Sequence, residues 1–504
     1  MSKLKKIDWP LIILPITGVF TVSLILTLFP VQSHHDLTIV RSFLNGHFSF
    51  FYILVAIFFL CSTLYAAFSR YGKIKLGDLN DKPQYSNLHW GILVFTSTMS
   101  ADIIFYSLCE WMMYAQEPFI KQKHNIFEWS LTYSLFHWGP IVWSFYIMLA
   151  IAFAYMLFVT KNKRQKFSEA CRPLFGDHID GIVGKLIDLI AVFALIAATA
   201  STFSMSMPLL ATTVGNLVGI HNIRKLSLIL LIIVVLIYLT VSVIGMRAIT
   251  RLSLICYTFF IGLMIYILLF SGSLDFILDS GIQATGNLLQ NFVGMATTIN
   301  SKGFTQDWTI YYWSYWIVWC VATPFFIGSI SRGRTIKDVV LRGYAWGLGG
   351  TYLSFIVLSN FGISRQIQHL VNAIGDIQSG KTYSQVIMKI IETLPQYRIA
   401  VILLILSMIG LYSTVFDSIT MVVSKYSYRS LSIEEDPSKL MRGMWAIVFV
   451  MLPLSLLISN SSIYNIQSVA IIAAFPTAII MILILISFYK ESQKSFKNGA
   501  DCKK

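Results

Sequence analysis

Apolar runs of about twenty residues recur along the whole chain, separated by short polar stretches. That is the length at which an α-helix crosses a hydrocarbon core roughly 30 Å thick. The runs predict twelve membrane-spanning helices, in the windows 10–30, 48–69, 88–115, 129–159, 185–207, 225–246, 252–271, 308–331, 339–362, 397–424, 442–459 and 465–489. The predicted class is an all-α polytopic membrane protein. Connections are short except at 31–47, 116–128, 160–184, 272–307 and 363–396. The 272–307 stretch mixes apolar residues with Gly and Asn and reads as a helix on the outer bilayer surface. Residues 333–343 read as an amphipathic cytoplasmic link.

Two spans depart from plain apolarity, one polar (88–115) and one aromatic (308–331). They stand five spans apart and so cross in opposite directions. That is the arithmetic of two inverted five-helix repeats, in which irregular helices near the midplane supply a binding site. The predicted organisation is a tail with two extra helices (1–87), a first repeat (88–271), a surface segment (272–307), a second repeat (308–489) and a short basic tail (490–504).

Composition agrees, at 56% hydrophobic and 12% charged residues over 504 positions. The net charge of +14 calls for no nucleic acid, because 28 of the 38 Lys and Arg fall on alternate loops. Those loops include Lys3, Lys5, Lys6, Arg247 and Arg251, and the positive-inside rule makes both termini cytoplasmic in a cell membrane. The six cysteines (Cys61, Cys109, Cys171, Cys256, Cys320, Cys502) lack paired spacing, so neither a disulfide framework nor a metal site is expected. No cofactor is expected either. The first apolar run lacks a small-residue cleavage site and reads as a retained helix.

The candidate chemistry is aromatic. In Trp308–Trp319, residues Tyr312, Tyr315, Trp316 and Trp319 share one helical face. Trp308 can anchor the interface, but Trp316 and Trp319 lie roughly 12 to 17 Å further in. Electron-rich ring faces at that depth suit a cation without N–H donors, such as a quaternary ammonium group. Asp102, with Phe105, Tyr106, Cys109 and Met113 on its face, lies deep in the third span. An ionisable group there costs roughly 2.5–3.5 kcal/mol on insertion scales. Two readings stand: Asp102 meets a substrate cation or coupling proton, or it forms a buried pair with Arg251. In Phe136–Trp143, Gly139-Pro140 loosens the fourth span beside two indoles. Trp138 then completes an aromatic box, Trp143 is ambiguous, and His137 reads as a packed helix residue.

On these residues the chain resembles the betaine/choline/carnitine transporter family over nearly its full length. The resemblance is carried by Trp308-Thr-Ile-Tyr-Tyr-Trp-Ser-Tyr-Trp-Ile-Val-Trp319, Ile330-Ser-Arg-Gly-Arg-Thr335, Phe136-His-Trp-Gly-Pro140 and Glu110 five residues after Phe105. It implies a leucine-transporter-like inverted-repeat fold, a homotrimer in the lipid bilayer, and alternating access to a site lined by Trp316, Trp319, Tyr315 and Trp138.

Departures from the pattern shape the expectation. Where sodium-coupled betaine carriers have a glycine stretch, this chain reads Thr98-Met-Ser-Ala-Asp102, so the resemblance implies neither their helix unwinding nor their sodium coordination here. Thr414 keeps a hydroxyl at a sodium position, but Val415 replaces a serine. Thr323 and Ser253 stand where carnitine exchangers have sodium-substituting Met and Arg, with Arg251 only nearby, and Met113 replaces a substrate-lining Tyr. Asp102 aligns where choline-carrying relatives have Asp. A carboxylate there favours a net cation and repels the carboxylate of a zwitterion.

The expected function is sodium-independent choline uptake driven by membrane potential, protons or both, with Asp102, Thr414, Thr323 and Arg251 as candidate coupling residues. The alternative is a carnitine, γ-butyrobetaine or betaine carrier. A receptor is disfavoured by the short tail from Lys490 to Lys504, which also looks too small for strong osmotic control. An enzyme is disfavoured because no His-Glu-x-x-His motif or nucleophile with a base occurs.

Overall fold

The computed structural model describes residues 7–162, 164–244, 246–431, 435–459 and 463–501. Lys3, Lys5, Lys6 and Cys502, on which the charge and cysteine readings drew, lie outside them. Every predicted window carries a helix. Two helices precede the broken part of the bundle, α1 (Pro10–Leu28) and α2 (Pro30–Phe68). The third span is α3 (Asn87–Thr98) and α4 (Asp102–Tyr114), and the fourth is α5 (Ile126–His137) and α6 (Pro140–Ala154). Next come α7 (Ile182–Val218), α8 (Ile223–Ile244), α9 (Met246–Phe270) and α10 (Leu274–Thr297). The eighth span is α11 (Ile310–Trp319) and α12 (Thr323–Ser329). The chain then forms α13 (Ile336–Ile367), α14 (Tyr397–Tyr426), α15 (Lys439–Ile458) and α16 (Ile463–Asp501).

Among the described residues, nine helices are long and apolar enough to cross a membrane alone, and eleven spans result if each sharply bent pair is one crossing. The count therefore stops short of twelve. The helix left out, α13, is long enough at 32 residues. However, it carries Gly343, Gly347, Gly350, Ser354, Ser359 and Asn360. Those small residues let neighbours approach closely, as expected of helix contacts inside membranes: a Cβ on Gly347 would lie 2.6 Å from the Trp143 ring, and one on Gly350 would lie 2.3 Å from Phe95.

The structure decides one point that the sequence leaves open and corrects another. The third span does unwind, with a 64° bend between α3 and α4, although the chain lacks the glycine stretch. Met99 takes an extended conformation, and α4 restarts with Asp102 in its first turn, where a carboxylate suits the positive helix end. The aromatic span bends by 51° at Cys320–Ala322. Second, 333–343 is no separate link. The Thr335 side chain accepts from Asp338 N at 3.1 Å and starts α13 directly.

The Ile330–Thr335 motif acts as a staple. Ser331 accepts the Trp90 indole N–H at 3.1 Å, and the Arg334 guanidinium stacks 4.7 Å from the Trp90 ring. Arg334 also donates to Asp338 at 2.7 Å, to Asn87 at 3.0 Å and to the Tyr85 carbonyl at 3.0 Å. The ends of α3 and α12 are thereby tied to α13. Gly333, at φ +83°, turns the chain where any Cβ would strike the Lys82 backbone.

Within 272–307 the chain forms the amphipathic helix α10. It buries Ile277, Gly281, Ala284 and Leu288 and leaves Leu278, Ile282, Leu289 and Val293 exposed. Its buried side packs on α5 and α13. Inside the bundle, α11 lies against α7 and α16, α4 against α5 and α13, and α12 against α6.

Candidate functional site

The fourth span sets the geometry. α5 ends at His137, Gly139 is extended, and Pro140 opens α6. A Cβ on Gly139 would lie 2.5 Å from the Leu135 carbonyl, so a side chain there would block this path. The Trp138 carbonyl at the interruption accepts from the Thr351 hydroxyl of α13 at 3.2 Å, which settles a backbone group that lipid could not satisfy.

Around this break the rings converge. Trp316 of α11 meets Trp138 at 5.6 Å, Trp143 at 5.6 Å and Tyr146 at 4.9 Å between ring centroids. Trp138 continues the cluster to Tyr106 at 5.6 Å and Tyr312 at 5.8 Å. All are buried. Among the described residues the Trp143 and Trp316 indole nitrogens have no hydrogen-bond partner, so these residues are held by ring packing.

Asp102 is buried, and its partner is not Arg251. The Tyr315 hydroxyl donates to it and is also bonded to the Thr202 hydroxyl of α7. Backbone N–H groups of Asp102 and Ile103 at the head of α4 also face its carboxylate. Arg251 is exposed, beside His89, Ile92 and Leu93 toward the start of α3. A hydroxyl and a helix N-terminus thus stand where a cation was the alternative. Tyr146, which touches Trp316, lies within electrostatic reach of Asp102.

The predicted residues therefore divide. Trp316 and Trp138 come together, and Tyr315 packs its ring on Tyr311 at 5.8 Å while its hydroxyl turns to Asp102, so the single face expected of α11 serves two purposes. Trp319 is buried at the end of α11, one turn beyond Trp316. Phe105 packs on Tyr106 at 5.3 Å. Met113 is buried on α4, about 16 Å past Asp102 at 1.5 Å per residue. The Thr414 hydroxyl of α14 donates to the Thr96 carbonyl of α3 at 3.1 Å. Thr323 opens α12, and its buried hydroxyl has no partner among the described residues. Trp308 donates to Glu117 at 2.9 Å.

Sequence reasoning left Trp143 ambiguous and missed Tyr146. Trp143 and Tyr146 do stand at helical spacing, but the break at Gly139 resets the helical phase relative to Trp138. A cavity of about 220 Å³ opens beyond the second break, lined by Phe325, Phe326 and Ser329 of α12 with Ser418, Met421 and Lys425 of α14.

The Trp143 ring rests on the bare backbone of Gly347. Gly347→Ala is expected to push that indole into the cluster and weaken ligand binding about tenfold without touching ligand, an overpacking cost of about 1–3 kcal/mol. A fluorescence titration of the variant with unchanged affinity would show that Trp143 has room to yield.

Among the described residues no Lys or Arg pairs with Asp102, and buried ring faces together with such a carboxylate can hold a desolvated cation by ring and Coulomb attraction. Comparisons with known proteins point the same way. The family model for BCCT, the betaine/carnitine/choline family transporters, matches residues 10–497. A probable glycine betaine transporter of Desulfitobacterium hafniense is 30% identical, over 90% of this chain and 90% of that protein. A carnitine transporter of Acinetobacter baumannii is 27% identical over 86% of this chain and 79% of that protein. An osmo-independent choline transporter of Acinetobacter baylyi is 26% identical over 93% of this chain and 90% of that protein.

Proposed function

The chain belongs to the betaine/carnitine/choline transporter family, and from that premise we propose that this multi-pass membrane transporter carries choline. The observation that carries the choice is Asp102. It is a buried carboxylate within electrostatic reach of Tyr146, and among the described residues its partners are a tyrosine hydroxyl and backbone N–H groups, with no Lys or Arg. A permanent cation would complete its charge, whereas the carboxylate of betaine or carnitine would meet like charge.

The rings of Trp316, Trp138, Trp143 and Tyr146 receive the methylated nitrogen. Each good contact supplies about 0.5–2 kcal/mol when desolvated, which supports micromolar to millimolar affinity. Transport proceeds by alternating access between two inverted five-helix repeats, 88–271 and 308–489. An inside-negative potential favours entry by about 2.3 kcal/mol per charge per 100 mV. Sodium is not required: the Thr414 hydroxyl already bonds the Thr96 carbonyl, and Val415 beside it offers no oxygen side chain. The protein sits in the cytoplasmic membrane with both termini inside, as a homotrimer.

Tryptophan fluorescence of the purified protein tests this with choline, glycine betaine and carnitine, each with and without sodium. The expected result is a saturable choline response that sodium leaves unchanged. Saturation by betaine or carnitine alone would overturn the assignment, as would a choline response that needs sodium.

A further inference from the structure

Glu110 has no part in the reading above, yet it is the second carboxylate buried at the centre of the bundle. It lies on α4 two turns beyond Asp102 and is 0% exposed. Among the described residues no Lys or Arg pairs with it. One oxygen, Oε2, accepts both the Trp138 indole N–H at 2.9 Å and the Tyr312 hydroxyl at 2.7 Å. Tyr114 and Ser134 also face the carboxyl. Tyr114 is occupied by the His137 Nδ1 at 2.6 Å.

A buried indole N–H and a phenol need an acceptor, and a neutral amide would serve both at far lower cost in a membrane interior. The carboxylate therefore calls for a use of its charge. Trp138 supplies one, because its ring faces Trp316 while its N–H points at Glu110. A charge-assisted bond at the indole nitrogen locks the ring plane and moves electron density toward the ring, whose negative face attracts a cation.

We propose that Glu110 is a positioning residue of the substrate site, fixing Trp138 and Tyr312 and strengthening, through the indole, the hold of Trp138 on a methylated ammonium. This rests on the reading of Trp138 and Trp316 as the ring faces that meet that group. The substrate gains a second anionic influence without a second carboxylate in contact with it.

The test is a double-mutant cycle on the full-length protein, titrated with choline and with its uncharged isostere 3,3-dimethylbutan-1-ol in competition. Glu110→Gln keeps an acceptor oxygen and removes the charge. Choline affinity is expected to fall about tenfold, the size of one desolvated cation–ring contact, while the neutral isostere changes less than about twofold. In a Trp138→Phe background, which keeps a ring but has no N–H, Glu110→Gln is expected to add less than about twofold.

Parallel loss of both ligands, or a full further loss in the Trp138→Phe background, overturns the proposal, as does an unchanged choline affinity. If Glu110→Gln does not fold, Glu110→Asp takes its place in the cycle: it draws the carboxylate back from the Trp138 N–H and is expected to lower choline affinity while sparing the isostere. Trp316→Ala separates the two levels. If that variant keeps its choline affinity, the ring site itself is wrong; if it loses affinity while the cycle is additive, only the role of Glu110 falls. A wild-type protein that takes betaine in place of choline fails the substrate assignment, and the same cycle is then read with betaine.

Discussion

Trp316→Ala is expected to lower affinity for choline, and for any other trimethylammonium compound the protein binds, by more than about a hundredfold. The magnitude follows from its place in the ring cluster. Trp316 touches Trp138, Trp143 and Tyr146 at once. Its removal deletes one ring contact, worth about 2 kcal/mol when desolvated, and frees three others to rotate away from the ligand. A total near 3 kcal/mol corresponds to more than a hundredfold. Trp313→Ala is the control. That indole is equally buried but packs on Phe136 at 6.0 Å and, among the described residues, makes no ring contact with the Trp316 cluster. It should cost stability, about 3–5 kcal/mol for a buried Trp, yet leave the affinity of the folded protein near wild type. If the two variants bound equally well, the Trp316 rings would be packing and nothing more.

Asp102→Gly is expected to invert the preference between choline and betaine. The carboxylate supplies attraction for the ammonium and repulsion for a ligand carboxylate. At 5 Å and an effective dielectric near 20, one such interaction is roughly 3 kcal/mol, or about a hundredfold. Structure adds a second reason. Without Asp102, the Tyr315 hydroxyl and the N–H groups at the head of α4 lose their acceptor, and the carboxylate of betaine can take its place. Asp102→Asn should weaken choline less selectively, because the amide still accepts from Tyr315. Uptake into proteoliposomes with both labelled substrates reads the ratio. An Asp102→Gly protein with the wild-type ratio would remove Asp102 from substrate choice.

Much of this arrangement was legible early. The two irregular spans stood out by composition, and both are broken in the structure, at Met99–Ala101 and at Cys320–Ala322. Trp316 and Trp138 were found from ring content and from the Gly-Pro pair beside Trp138. The partners were harder. Arg251 was the nearest cation in prospect for Asp102, yet the group that answers it is Tyr315, 213 residues away along the chain. Glu110 entered only as part of a motif, although it takes bonds from Trp138 and from Tyr312, the latter 202 residues distant.

Sequence alone determined the class, the positions of the helices and the transporter family. Each depends on local quantities: the apolar length that matches a bilayer, helical spacing, and motifs read in order. Only the tertiary structure decided which ring faces which, that Trp143 and Tyr146 join Trp316, and that the Tyr315 hydroxyl answers Asp102. Helix breaks cancel the phase on which spacing arguments rest, and contacts between distant helices depend on how their surfaces pack. In this protein the bare backbone at Gly347 under Trp143, and the interruption at Trp138–Gly139, set that packing.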